Sequence, residues 1–163
     1  MVSGVRVLGV DPGSRATGWA LVVAVGNRYR LEASGVIRPR GEDRPGRLAD
    51  LLARLRVLLA ELAPDTAAVE SSFSGLNPRS GLALAESRGV ILAALGAAGL
   101  GVRSYSPAEV KSAIVGTGRA EKQQIVLMVI RLLNLRDAPP VDAADAMAVA
   151  LTHIHSGGCR TTR

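Results

Sequence analysis

The sequence predicts an α/β fold in which a five-stranded mixed sheet carries helices on both faces. Two apolar runs, Val5 to Val10 and Trp19 to Val25, flank a turn and predict neighbouring strands. Gly26 and Asn27 then form a tight-turn signal, which predicts an antiparallel hairpin with a third strand. Beyond this meander, apolar strands alternate with helical patterns, which is typical of parallel strands joined by helices.

Each element of the first half has a local signal. The third strand is Arg28 to Ile37, and Arg38-Pro39-Arg40-Gly41 ends it. The clearest helix is Arg44 to Leu62, because its leucines recur on one face. Pro64 stops this helix, and Thr66 to Glu70 follows as a short apolar strand that ends at an acid.

The second half continues the alternation. Proline at the favoured first position marks one helix start, and the glycines of Gly116-Thr117-Gly118 interrupt that helix before it resumes. The predicted segments are a glycine- and alanine-rich helix, a strand, an interrupted helix and a last helix: Ser80 to Ala98, Gly101 to Tyr105, Pro107 to Ile114 with Ala120 to Leu133, and Asp142 to His155. The order is β-β-β-α-β-α-β-α-α, in one domain over residues 1–155 with 156–163 as a flexible tail.

Composition and charge narrow the class of protein. The 163 residues suit one domain with a sizeable core, and the 48% hydrophobic content excludes a disordered chain. The net charge of +6 favours a polyanionic partner. Aromatic residues make up only 2%, which is too few for the stacking platform of a single-strand binder, so a duplex or branched backbone is the expected partner.

Cysteine usage and hydropathy exclude further classes. The single cysteine, Cys159, allows neither a disulfide framework nor a Cys/His zinc site. The apolar start is broken by Asp11 and Arg15, unlike a signal peptide. Gly89 to Val102 is too short and too rich in glycine to span a bilayer. We therefore expect a cytoplasmic protein with no membrane attachment.

Four acidic residues stand at the ends of apolar segments. Asp11 and Glu70 each end a predicted strand, and neighbouring parallel strands would bring those ends together. Asp142 and Asp145 are three residues apart at a helix start, so they share one face. The four form an all-oxygen set that suits Mg²⁺ or Mn²⁺. Two such ions would activate a water and stabilise the leaving oxygen of a phosphodiester.

Each acid also has a purely structural interpretation. Asp11 before Pro-Gly would shape a turn, and Glu70 would be a solvated strand end. Asp142 after two prolines would cap a helix, with Asp145 as the acid three residues on. Singly these interpretations are the commoner ones, but the shared placement of all four acids favours a metal site. His153 lies eleven residues past Asp142, about 16 Å along the helix and too far to share an ion, and both His153 and His155 are expected to be surface or core residues.

Four blocks of sequence resemble, in this order, the RuvC family of bacterial Holliday-junction resolvases: LGVDPGSRATGWALV, AAVESSFSGLNPRSGLALAESRGV, SPAEVKSAIVGTGRAEKQQIVLMV and VDAADAMAVALTHIH. They run from about Val7 to His155, and DPGSR-TG with DAADA at this separation is highly specific. The resemblance implies an RNase H-like fold and a homodimer that cuts two opposing strands of a four-way junction symmetrically with Mg²⁺ or Mn²⁺. It also implies that the protein acts together with the RuvA-RuvB branch-migration motor.

The resemblance further implies roles for single residues. The family's catalytic acids match the four acids named above. Phe73 matches an aromatic that intrudes on bases near the junction centre, and it is the chain's only phenylalanine, in a polar loop rather than a core pattern. Lys111 and Lys122 match lysines that act on the DNA backbone near the scissile site; ordinary solvated helix surface is their alternative. We add Arg79 and Arg119 as expected DNA contacts.

Two other functions stay open at this point. One is a related RNase H-like nuclease of the YqgF type acting on RNA, against which Phe73 and the two lysines count. The other is a basic module that holds branched DNA and leaves cutting to a partner, which predicts that the four acids do not converge. Symmetric cutting needs two acid clusters related by a twofold axis, and Ser80 to Ala98 is the candidate dimer interface.

Overall fold

The sheet has five strands in the order β3-β2-β1-β4-β5, as predicted. The computed structural model describes residues 4–71 and 77–158. The strands are β1 (Val5–Asp11), β2 (Thr17–Val25), β3 (Arg28–Ile37), β4 (Thr66–Glu70) and β5 (Gly101–Tyr105). The first three form an antiparallel meander, whereas β4 runs parallel to β1 and β5 runs parallel to β4. The mixed sheet is confirmed.

Helices cover both faces of the sheet, which confirms the predicted layers. They are α1 (Arg44–Leu62), α2 (Pro78–Ala97), α3 (Pro107–Val115), α4 (Lys122–Leu132) and α5 (Val141–His155). One core joins α1 and α2 to inward residues such as Leu8 and Leu21. The other joins α5, α3 and α4 to residues such as Val7 and Val22. Side chains alternate between the two cores along each strand because successive residues of a strand face opposite ways.

The predicted order of elements is wrong by one helix. Gly116 has φ of 85°, and its N–H bonds to the carbonyl of Ser112 at 2.9 Å, so it ends α3 in the left-handed conformation that favours glycine. The chain begins again as a separate helix at Lys122. The Gly116-Thr117-Gly118 segment therefore divides two helices, where the sequence predicted one interrupted helix.

Helix α5 lies across β1 and β2 at two glycines. A Cβ on Gly9 would overlap the carbonyl of Ala146, and one on Gly18 would overlap the carbonyl of Asp142. Gly18 pairs with Asp11 in the register of β1 and β2. Because Gly18 has no side chain, the acidic start of α5 rests directly on the sheet beside the end of β1.

Helix α2 packs along one side against α1 and the sheet. Its inward residues are Leu84, Ser87, Ile91, Ala94 and Leu95. By length and composition alone it is also the one helix, among the described residues, that is apolar enough to cross a membrane. Proline follows its capping residue Asn77, whose side chain accepts a hydrogen bond from the N–H of Ser80 at 2.9 Å, and this cap fixes where the helix begins.

Candidate active site

Adjacent parallel strands bring Asp11 and Glu70 to one edge of the sheet. The last paired residues of β1 and β4 are Val10 and Val69, and the two acids follow directly. Alternation along each strand directs both acids to the face covered by α5, since Val10 and Val69 belong to the other core. Both line a cleft of about 270 Å³, which we call the acid cleft: Asp11, Pro12, Gly13, Ser14, Glu70, Ser80 and Leu84.

Helix α5, which covers one face of the sheet, contributes the other two acids. The backbone of Asp142 rests on Gly18, the partner of Asp11 in the sheet. Asp145 lies one turn further on and shares with Glu70 a cavity of about 210 Å³, which we call the lysine pocket: Glu70, Pro107, Val110, Lys111, Lys122, Ile125, Asp145 and Ala148. The four predicted acids thus converge, contrary to what the interpretation as a binding module required.

Burial, together with the charges of neighbouring acids, raises the pKa values of the two strand-end carboxylates, Asp11 and Glu70. Burial, and then the charges of Glu70 and Asp145, raise the pKa of Asp11 to about 8. Burial, followed by the charge of Asp145, raises the pKa of Glu70 as well. The cluster is therefore short of positive charge, and a proton on Asp11 relieves the repulsion at neutral pH.

Two cations already face the acids of α5. The Nζ of Lys122 donates to Oδ2 of Asp145 at 2.8 Å, and this hydrogen bond raises the pKa of Lys122. A guanidinium nitrogen of Arg38 lies 3.7 Å from Oδ2 of Asp142, in a pair that is mostly exposed. Lys122 also lowers the pKa values of Asp11 and Glu70. It therefore acts as an internal counter-ion for the whole cluster.

The donor chemistry fits a hard divalent cation. Four carboxylates offer only oxygen ligands, which suit Mg²⁺ or Mn²⁺, and a cation beside them would favour the charged forms of Asp11 and Glu70, which burial and neighbouring acids disfavour. Within residues 4–71 and 77–158, no three Asp, Glu, His or Cys side chains are arranged as they stand to hold a metal ion. One physical reason is that Asp145 is turned toward Lys122, so that metal binding would have to exchange a lysine contact for an ion.

The predicted DNA contacts are distributed unevenly around this centre. Lys111 and Lys122 lie in the lysine pocket beside Glu70 and Asp145. Arg79, in the first turn of α2, is exposed and lines a neighbouring groove. Arg119 lies in the turn between α3 and α4, exposed, and does not line the lysine pocket or the acid cleft. Phe73 falls in 72–76, outside the described residues.

Sequence reasoning missed Arg44, which ties the turn after β1 to α2. Its Nε lies 2.6 Å from a carboxylate oxygen of Glu86, and its guanidinium donates to the carbonyls of Ser14 and Ala83 and to the hydroxyl of Ser87 at 3.0 Å. Sequence reasoning also missed Arg38, although the pairing of β2 with β3 indicates its position. Ile37 pairs with Thr17 at the edge of the sheet where Asp11 ends β1, so the residue after Ile37 must lie near the acids.

The two histidines have the structural roles expected of them. His153 is buried between the Tyr105 hydroxyl, 2.9 Å from Nδ1, and the Thr66 hydroxyl, 3.2 Å from Nε2. Burial lowers its pKa, so the ring is neutral. His155 is exposed and its ring lies edge-on to Tyr29.

Comparisons with known proteins show the family to which the chain belongs. The model of the crossover junction endodeoxyribonuclease RuvC family matches residues 7–153. The RuvC of Aromatoleum aromaticum is 45% identical over 152 residues, which are 93% of this chain and 82% of that protein. The RuvC of Azorhizobium caulinodans is 47% identical over 156 residues, 94% of this chain and 92% of that protein.

Solved structures give the same result. Thermus thermophilus RuvC superposes with a TM-score of 0.87 at 33% identity, covering 94% of this chain and 96% of its own. The same protein in complex with a Holliday junction substrate gives 0.88 at 33% identity, covering 94% of each chain. The yeast mitochondrial Holliday junction resolvase, at 15% identity and a TM-score of 0.68, shares the fold. The chain belongs to the RuvC family of crossover junction endodeoxyribonucleases.

Proposed function

We propose that the chain resolves Holliday junctions in recombination and DNA repair by symmetric paired nicks. The observation that supports this most directly is the convergence of four carboxylates, from two parallel strands and one helix, beside two lysines. Family membership adds the substrate: the Thermus relative with a TM-score of 0.88 was solved with a Holliday junction. The net charge of +6 suits that polyanion.

The four acids would hold Mg²⁺, or Mn²⁺ in its place, as two ions per site. When bound, the ions would supply a nucleophilic water and neutralise charge on the phosphate. The chain's own residues do the rest of the work. The sheet fixes the backbones of Asp11 and Glu70, which keeps their carboxylates at neighbouring strand ends. Lys111 and Lys122 would attract the backbone phosphate and orient it toward the acids.

A twofold dimer is part of this proposal, because one acid cluster cuts one strand. Helix α2 is the proposed interface of this dimer, because part of its outer side is apolar and uncovered. Leu82 on its outer side is 63% exposed, and a Cβ on Gly81 or Gly89 would meet open space. Further parts of the proposal are action with the RuvA-RuvB motor and a cytoplasmic location, where bacterial DNA lies.

End-labelled four-way junctions test the proposal. With Mg²⁺, the wild type is expected to nick two opposing strands at symmetric positions. Asp11→Asn and Glu70→Gln are each expected to lower the cleavage rate roughly a thousandfold. Both variants should still bind the junction in EDTA, because binding depends on phosphate contacts rather than on metal ligands.

Asp50→Asn is the matched control, since Asp50 is a carboxylate on the outer part of α1 that pairs with Arg54 at 2.9 Å. It should cut at the wild-type rate. Equal cleavage by wild type and Asp11→Asn would refute the assignment of the acids. Preferential cutting of structured RNA over junction DNA would instead favour the nuclease of the YqgF type.

A further inference from the structure

The cavity of about 720 Å³ beside the acid cleft is lined by four arginines. We call it the arginine groove: Ser14, Arg15, Pro39, Arg44, Arg47, Arg79, Ser80 and Ala83. We propose that the arginine groove binds a backbone phosphate of the DNA next to the one that is cut, on the opposite side of the acids from the lysines. The inference rests on the proposed function and extends it by a second phosphate site.

Three cavities form one continuous track across the molecule. The lysine pocket and the acid cleft share Glu70. The acid cleft and the arginine groove share Ser14 and Ser80. The acids therefore lie between a lysine site and an arginine site. A strand whose scissile phosphate reaches Asp11 and Glu70 extends on one side into the lysine pocket and on the other into the arginine groove.

The arginines of the groove differ in how firmly they are held. Arg44 pairs with Glu86 at 2.6 Å and Arg47 donates to the Gly41 carbonyl at 3.4 Å, so these two guanidinium groups already have partners. Arg15 and Arg79 are exposed, and within the described residues their side chains take part in no hydrogen bond or ion pair. Of the described residues lining the groove, none is acidic.

This arrangement suits a phosphodiester. The guanidinium group presents paired N–H donors that match two phosphate oxygens, and two unpaired arginines need not break existing ion pairs to bind them. An acidic protein segment would meet the same charges, but it would have no reason to continue into a cleft of buried carboxylates. Continuity with the acid cleft therefore favours the nucleic-acid backbone.

The test replaces the two unpaired arginines together, as Arg15→Gln/Arg79→Gln. The matched control is Arg28→Gln/Arg56→Gln, which lowers the net charge of +6 by the same two units. Arg28 begins β3 at the end of the sheet away from the acids, and Arg56 lies about 18 Å along α1 from Arg44. Junction affinity is measured in EDTA between 50 and 400 mM KCl, approximately the range in which phosphate contacts dominate.

Each phosphate contact that is lost should lower the slope of log affinity against log salt by about 0.9. One or two lost contacts would then weaken binding about 8- to 60-fold at 100 mM salt, with the variant and wild-type lines converging toward 1 M. The control should keep the wild-type slope. Arg15→Lys/Arg79→Lys, which preserves the charge, should recover most of the slope, and thermal unfolding of the glutamine variant at the wild-type temperature shows that this variant is folded.

Identical slopes for the groove variant and the control would overturn the inference while leaving junction cleavage by the wild type intact. Failure of the wild type to bind or cut the junction would instead overturn the proposed function itself. A polyglutamate peptide is the remaining probe. If the wild type binds it, the groove variant does not, and junction binding is equal in both, the groove is a protein-docking site and the inference is wrong.

Discussion

Asp11→Asn should make the metal-free protein more stable, although it removes a proposed catalytic carboxylate. Asp11 is mostly buried among like charges, and its pKa of about 8 lies far above the ordinary value of 3.8. An acid with a raised folded-state pKa destabilises the fold whenever it must ionise. The cost is absent below about pH 4, grows between pH 4 and 8, and is constant above that. Asparagine avoids it.

The size of this gain follows from the shift. About four pKa units at 1.36 kcal/mol each give an upper bound of about 6 kcal/mol. Local relaxation and water penetration reduce such penalties, and asparagine still buries a polar amide. We therefore expect a gain of about 1–3 kcal/mol at pH 8, which in a chain of this length is roughly 3 to 9 °C in melting temperature.

Thermal and urea unfolding in EDTA at pH 5, 6, 7 and 8 measures the effect. The advantage of Asp11→Asn should be small at pH 5 and increase toward pH 8. Asp50→Asn should instead be less stable than the wild type by an amount that stays constant from pH 5 to pH 8, because the pKa of Asp50 lies below its ordinary value of 3.8. The N–H of Arg40, and then Arg54, lower the pKa of Asp50, so its negative charge stabilises the fold once pH rises above that pKa. Excess Mg²⁺ should remove the advantage of Asp11→Asn by stabilising the wild type alone.

Two results would refute this reasoning. If Asp11→Asn is less stable than the wild type at pH 8 in EDTA, the carboxylates are not crowded as the geometry indicates. If the difference in stability between the two proteins does not change with pH, Asp11 does not titrate near pH 8, and its repulsion from Glu70 and Asp145 is too weak to matter.

Three further predictions concern the supports of the acid cluster. Gly18→Ala should lower the free energy of unfolding by about 2 kcal/mol and slow cleavage, because its Cβ pushes the start of α5 off the sheet. The control is Gly101→Ala, whose Cβ would meet only the Thr66 hydroxyl at 4.0 Å and which should not destabilise the fold; urea unfolding compares the two variants. Arg44→Met should lower the free energy of unfolding in urea by about 1–3 kcal/mol, because the turn after β1 loses its contacts with α2 through Arg44. It should slow cleavage for the same reason. Lys122→Met should bind Mn²⁺ more tightly in a thermal-shift titration, because it removes a cation that competes for Asp145. The same variant should cut more slowly, because it also removes the proposed phosphate contact.

The positions of Asp11 and Glu70 could be predicted because they depend on strand pairing alone. An apolar run that ends in an acid locates the acid at a strand end, and parallel neighbours align their ends. The leucine face of α1 could also be predicted, because helical periodicity depends only on the sequence of the helix itself. Predicting the two acids and the leucine face therefore required only the sequence pattern of each segment and one rule of strand pairing.

Arg44 and Gly18 could not be found in that way, because their roles depend on segments distant in sequence. Arg44 meets Ser14 and Glu86 only after the sheet and both helices have assembled. Gly18 looks like any glycine in a strand until α5 is seen to rest on it. The arginine groove is a similar case, since its four cations come from three separate parts of the chain and share no motif.

The charges of the site explain how the two lysines and the proposed metal ligands can lie side by side. Because the pKa of Asp11 is raised to about 8, a proton on this acid and the cations of Arg38, Lys111 and Lys122 together offset the negative charge of the metal-free cluster. Binding two divalent ions would release the proton and leave a clear positive excess, which is the condition a phosphodiester needs. In the proposed mechanism the metal and the lysines are not redundant: Lys122 offsets the charge of the metal-free acids, and bound ions would turn the cluster into a site for an anion. The same logic explains why the arginine groove lies outside the cluster. Its cations can attract DNA at all times without competing with the ions for the carboxylates.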